Sequence, residues 1–121
     1  MDHLSNLITS IRNAEMVRHT QLTAPNNKLS RAVLDVLKET KYVSSYAVEE
    51  QKLVIKLAQP VKLHHYKRVS KPGRRVYRPA GNIPLVMRGF GMVIVSTPEG
   101  VMTGDQARKR KIGGEILCEV Y

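Results

Sequence analysis

The chain has 121 residues, 42% of them hydrophobic and 25% charged, enough for one substantial core or two small lobes and unlike a disordered, collagen-like or coiled-coil chain. No apolar run approaches the ~20 residues of a membrane-crossing helix, and a single cysteine, Cys118, excludes an intrachain disulfide and favours a reducing compartment. A formal net charge of +10 makes a polyanion the expected partner, nucleic acid or an anionic membrane surface.

The opening MDHLSNLITS has an acidic residue where a signal peptide carries basic ones, so it reads as part of the fold. Leu4, Leu7, Ile8, Ile11 and Ala14 recur at helical spacing and predict a helix over roughly residues 3 to 15, with Asp2 as its cap. Gln21-Leu22-Thr23 is expected to be extended, because Pro25 biases the preceding backbone away from helical angles. Asn26 and Asn27 are cap candidates for a second helix with a buried stripe of Leu29, Val33, Val36 and Leu37, Ala32 packing alongside. The period then changes to two. Tyr46 and Val48, then Leu53, Ile55 and Leu57, predict two antiparallel strands around a reversal at Glu49-Glu50-Gln51. Neither helices nor strands can hide an apolar face alone, so residues 1–60 should form two helices on a small three-stranded sheet.

Residues 61–121 are expected to be a mainly β lobe with one short helix, making the whole chain α+β. Tyr66 to Ser70 and Arg74 to Arg78 flank Lys71-Pro72-Gly73 as a candidate hairpin, and Pro79, Gly81 and Pro84 forbid a long element after it. Gly89-Phe90-Gly91 reads as strand entry; no strand before it and helix after it support a dinucleotide loop. Met92 to Val95 form a continuous apolar strand, Ser96 to Gly100 turn the chain, and Thr103 caps a helix through Lys111. The last strand is expected to place Ile116, Cys118 and Val120 on one face.

Charge divides unevenly between the halves. Residues 1–60 carry eight Lys and Arg against six Asp and Glu; residues 61–121 carry twelve against four. From Lys62 to Arg78 there are seven basic residues and no acidic one, with Tyr66 and Tyr77 among them. A solubilising loop or a protected sheet edge would account for part of this, but a shaped basic hairpin accounts for the arginines and the turn together. Catalysis has little support. Cys118 in an alternating strand is a small buried hydrophobe by default, and the adjacent His64 and His65 point oppositely in a strand and cannot share a metal. Glu115 with Asp105 or Glu99 makes an imaginable carboxylate pair, but in so basic a lobe salt bridging is the simpler role.

One Phe and no Trp weaken a single-strand stacking platform. Structured RNA or DNA gripped through phosphates and shape needs mainly Lys, Arg, hydroxyls and backbone amides. The segment Ser96-Thr97-Pro98-Glu99-Gly100 offers two hydroxyls on a stiffened turn, near the basic run Arg108 to Lys111 and the pair Gly113-Gly114. Such a loop suits a shallow minor groove and its 2′-hydroxyls, although alone it would be an ordinary turn.

Val95-Ser96-Thr97, Gly100-Val101-Met102-Thr103, Ala107-Arg108 and Gly113-Gly114-Glu115-Ile116 followed by Cys118 recur in this order and spacing, and through them the chain resembles, over nearly its whole length, the bacterial-type small ribosomal subunit protein eight family. Ile11-Arg12-Asn13-Ala14, Pro25 with Lys28-Leu29, Arg68-Val69-Ser70, Pro72-Gly73 and Val76-Tyr77 agree with it, as does Pro84 before Gly89 and Gly91. The resemblance implies a non-enzymatic, cofactor-free protein of a cytoplasmic or an organellar ribosome, a monomer outside the ribosome, that binds the central domain of small-subunit ribosomal RNA and supports assembly beside neighbouring small-subunit proteins. Relatives also bind a messenger RNA that imitates the site. The binding set it implies is Ser96, Thr97, Gly100 and Glu115, supported by Arg108, Lys109 and the hairpin residues Arg74, Arg75 and Tyr77, with Arg12 and Lys28 on first-lobe phosphates. Three departures stand out. Gly104-Asp105 replaces an aspartate followed by a basic residue and is expected to loosen or re-register the short helix. Ser30 replaces a common basic residue, and Asn26-Asn27 stand where serines are frequent.

Overall fold

The computed structural model describes residues 2–89 and 91–121, so Phe90, the middle of the expected strand entry, lies outside the described residues. The chain divides after His64 into two compact units. In the first, helix α1 (His3–Met16) starts where the Asp2 carboxylate accepts the Ser5 N–H, and helix α2 (Lys28–Glu39) where the Asn27 side chain accepts the Ser30 N–H. Each cap satisfies an amide that no helical carbonyl can reach. Strands β1 (Gln21–Pro25), β2 (Val43–Glu49) and β3 (Lys52–Leu57) form an antiparallel sheet in the order β1-β3-β2. The β2–β3 reversal turns on Glu50, which holds φ at +57°.

The core of this unit gathers Leu4, Leu7, Ile11, Val33, Leu34, Leu53 and Ile55, all essentially inaccessible. Leu34 was not in the expected stripe: it is fully buried, whereas Leu29 and Ala32 are only half-buried. Val48 also departs from expectation. It faces Leu53 in the register but sits near the end of an edge strand and is 52% exposed. Ser30 is buried, so this position faces the interior and not a phosphate. Glu15 is buried as well; its carboxylate accepts the His64 backbone N–H at 2.9 Å and meets His64 Nδ1 at 3.1 Å, tying the end of the unit back to α1.

The second unit is built on one strand. Strand β8 (Gly114–Val120) pairs along one edge with β6 (Met92–Thr97), which in turn pairs with β7 (Gly100–Thr103). Along its other edge lie β4 (Tyr66–Arg68), opposite Cys118 to Val120, and β5 (Tyr77–Arg78), opposite Gly114 and Glu115. The segments flanking Lys71-Pro72-Gly73 therefore do not form a hairpin with each other. Only Lys71 and Arg74 pair across the turn, and the flanks spend their hydrogen bonds on β8. The buried Ser70 closes the loop's base: its hydroxyl accepts the Val76 N–H at 2.9 Å and donates to the Val76 carbonyl at 3.3 Å.

Helix α3 (Gly104–Arg110) packs on β6 and β7. Thr103 and Gln106 form a reciprocal capping box, so the Gly104-Asp105 departure leaves the helix start in register. Its core partners are Val93, Val95, Met102 and Ile116. The pairing of β6 with β8 slips between Ile94, which faces Cys118, and Val95, which faces Ile116. This bulge at Leu117 turns Ile116 to the α3 side while Cys118 keeps to the other, correcting the expectation of one shared face.

Burial pushes the Cys118 thiol up to about 12 from an ordinary 9.0. A folded value above the unfolded one means this contribution is whole below about pH 9 and is lost as pH climbs toward 12. Cys118→Ala should cost roughly 1 kcal/mol at neutral pH. In denaturant titrations across that alkaline window, its unfolding free energy should fall less steeply than the parent's. Parallel slopes would contradict a thiol held neutral by the fold.

Candidate nucleic-acid interface

Ladder register assembles the candidate site from three strands. Glu115 on β8 lies opposite Tyr77 of β5 on one side and Ser96 of β6 on the other, and Ser96 lies opposite Val101 of β7. Residues paired across antiparallel strands share a face, so Tyr77, Glu115, Ser96 and Val101 form a row. Val95 and Ile116, one step away, point to the α3 core, so the row lies on the face away from α3. Tyr77 is 63% exposed, and Glu115, Ser96 and Val101 are half-buried.

The row requires close backbone approach at its start. A methyl group at Gly114 would overlap the Ser96 carbonyl oxygen, and one at Gly113 would overlap the backbone at Arg78 and Pro79. These two positions exclude a side chain because β8 enters between β5 and β6 there.

Thr97 has a different job from Ser96. It is buried, and its hydroxyl donates to the Gly100 carbonyl at 2.7 Å and accepts the Glu99 N–H at 3.1 Å, clamping the β6–β7 turn. Gly100 completes the reversal at φ +119°, a region that disfavours side chains. The hydroxyl presented in the row is that of Ser96.

Basic residues surround the row unequally. Arg75 reaches Glu115, NH1 to Oε2, at 3.1 Å. Arg74, Tyr77, Lys71 and Arg78 are exposed around the stapled loop. On α3, Arg108 donates to the Ile83 carbonyl at 3.2 Å and pairs with Asp105, so it braces the fold, while Lys109 is exposed. Arg110, absent from the expected set, pairs with Glu99 at 3.3 Å and links the end of α3 to the β6–β7 turn. Glu99, Asp105 and Glu115 thus each take an arginine, the salt-bridging role expected of them. Arg12 on α1 and Lys28 at the start of α2 are exposed but belong to the first unit.

The sequence contained the partners of these pairs but not the pairing. Arg75 and Glu115 are 40 residues apart, and only the common strand β8 brings them together. Ser70 carried a weak local signal, a hydroxyl just before a Pro-Gly turn, but its bond to Val76 follows from the loop's closure on β8.

The chain is thus two small α+β units, the second strongly basic and presenting the row Tyr77–Glu115–Ser96 on its sheet. The family model described as Ribosomal protein S8 matches residues 2–121, and the chain belongs to that family: it is a structural, non-catalytic protein of the small ribosomal subunit. It is 42% identical over 124 residues to small ribosomal subunit protein uS8 of Nitratidesulfovibrio vulgaris, covering 99% of this chain and 98% of that one. The uS8 of Paraburkholderia xenovorans is 43% identical over 127 residues, with 98% and 96% covered, and that of Hyphomonas neptunium 45% over 128 residues, with 99% and 97% covered. These bacterial relatives place the chain on the ribosome in the cytoplasm.

Thr97→Val should cost about 1–3 kcal/mol of stability, because the turn loses both bonds made by one hydroxyl. Ser96→Ala should cost under about 1 kcal/mol. Gly114→Ala should lose about 1–3 kcal/mol or more through overpacking, while Gly81→Ala, which meets open space, should be nearly neutral. Denaturant midpoints of the four variants test this ranking; equal values for Thr97→Val and Ser96→Ala would remove the clamp.

Proposed function

We propose that the chain is a primary binding protein for the central domain of small-subunit ribosomal RNA, and that it helps this RNA fold during subunit assembly. The observation that carries the reading is the row Tyr77–Glu115–Ser96, a polar strip on the face away from α3 in the unit that holds eleven of the twenty Lys and Arg. A carboxylate only accepts hydrogen bonds and a serine hydroxyl both donates and accepts. Side by side they suit a 2′-hydroxyl or the amino edge of a base in a shallow minor groove. The clamped β6–β7 turn keeps Ser96 in place, so Thr97 and Gly100 shape the site and Ser96 and Glu115 read it.

Phosphate attraction is carried by other groups. Lys71, Arg74 and Lys109 are exposed, and each suits a backbone contact that attracts RNA without reading it. Arg12 and Lys28 extend such contacts to the first unit. A messenger RNA that repeats the shape of the ribosomal site would use the same row.

Salt-series binding measurements on the cognate ribosomal RNA segment, a scrambled duplex and DNA of equal length separate the two roles. Lys109→Ala and Arg74→Ala should weaken all three by similar factors and make the salt slope shallower by about one unit at most. Ser96→Ala should cost about 1 kcal/mol, roughly fivefold, on the cognate RNA alone. Glu115→Gln should cost about 1.5–3 kcal/mol there, with little change in slope. Equal losses on every nucleic acid for Ser96→Ala and Glu115→Gln would overturn the recognition reading.

A further inference from the structure

The loop Lys71 to Arg75 is exposed and carries three cations, and by composition all of them should behave alike. The structure separates one of them. Arg75 directs its guanidinium to Glu115, whose side chain is only 13% exposed, at 3.1 Å between NH1 and Oε2. The contact is built from behind: Ser70 grips both backbone groups of Val76, and the Val76 carbonyl accepts the Ile116 N–H at 2.9 Å, immediately beside Glu115. Arg75 and Glu115 are therefore held next to residues whose backbones are bonded to each other.

We propose that Arg75 is a positioning residue for Glu115 and not a phosphate contact. Resting on the proposed recognition role of the row, the inference assigns its control to the Arg75–Glu115 pair. A carboxylate on a surface that must approach polyanionic RNA has two defects: its rotamers are free, and it repels phosphates. An arginine held on Oε2 corrects both, because it fixes the carboxylate plane and offsets the charge. With Oε2 held by Arg75, the other oxygen of this residue, registered between Tyr77 and Ser96, is the acceptor the inference assigns to a donating ligand, a 2′-hydroxyl or a base amino group. The arginine's charge is already matched by a carboxylate, so it contributes little to counterion release on binding.

The test uses the full chain, with folded fraction checked by thermal melting, and measures binding to cognate RNA and scrambled duplex over a salt series. Arg75→Ala should lower the cognate-to-scrambled affinity ratio roughly tenfold with a nearly unchanged salt slope, where Arg74→Ala lowers both affinities together and flattens the slope. Arg75→Gln, which keeps most of the stem, should behave like Arg75→Ala. In a Glu115→Gln background, Arg75→Ala should change the ratio by no more than about twofold, since the group it positions has gone. A uniform loss on both RNAs with a slope shallower by about one unit, additive with Glu115→Gln, would make Arg75 an ordinary phosphate contact and overturn the inference while leaving the row's role standing. An unchanged ratio for Glu115→Gln alone would instead bring down the recognition reading, and the inference with it.

Discussion

Everything distinctive in the second unit depends on β8 lending both of its edges. A strand has one set of amide and carbonyl groups per edge, and here one edge is taken by β6 while the other is divided between β4 and β5. Dividing that edge leaves Lys71 to Arg75 with no strand to pair with, so the loop stands out, closed at its base by the Ser70 hydroxyl. The same division puts Tyr77, Glu115 and Ser96 in register. Gly113 and Gly114 are the steric condition for this arrangement, since only bare backbone fits where β8 enters between its neighbours.

Charge in this unit is organised as much by pairing as by amount. Three of its four acidic residues hold arginines, and each pair fixes a different part: Arg75 the row, Arg108 the start of α3, Arg110 the β6–β7 turn. Exposed pairs of this kind contribute little to stability, so their effect is geometric. They leave Lys71, Arg74 and Lys109 as exposed cations, the side chains that the proposed function gives to phosphate attraction, apart from the row that it gives to recognition.

The first unit is ordinary in its forces and exact in its ends. Caps at Asp2 and Asn27 start its helices, and the buried Glu15 returns the segment at His64 to α1. The buried carboxylate accepts the His64 backbone amide and lies beside its imidazole, so a polar group taken from water meets polar partners there.

Local chemistry was legible in the chain itself. Helix caps, the period change from helix to strand, the Thr103 capping position, the buried Cys118 and the salt-bridging of Glu99, Asp105 and Glu115 all depend on residues close in sequence or on composition, and all were expected correctly. The interrupted motifs from Val95 to Cys118 pointed to the family. What the chain could not display was which strand uses which edge. A Pro-Gly turn between two basic stretches reads locally as a hairpin, because the competing partner β8 lies some 40 residues away. The bulge at Leu117, which reverses the side taken by Ile116, leaves no mark in an apolar run whose residues are all buried. Thr97 and Ser96 look interchangeable in sequence, yet alternation on β6 turns one hydroxyl into the turn and leaves the other in the row. Sequence thus determined the elements and the charge, which arise from neighbouring residues, while tertiary structure alone decided the pairing, because a strand's hydrogen bonds are satisfied equally well by any partner that the rest of the fold brings into reach.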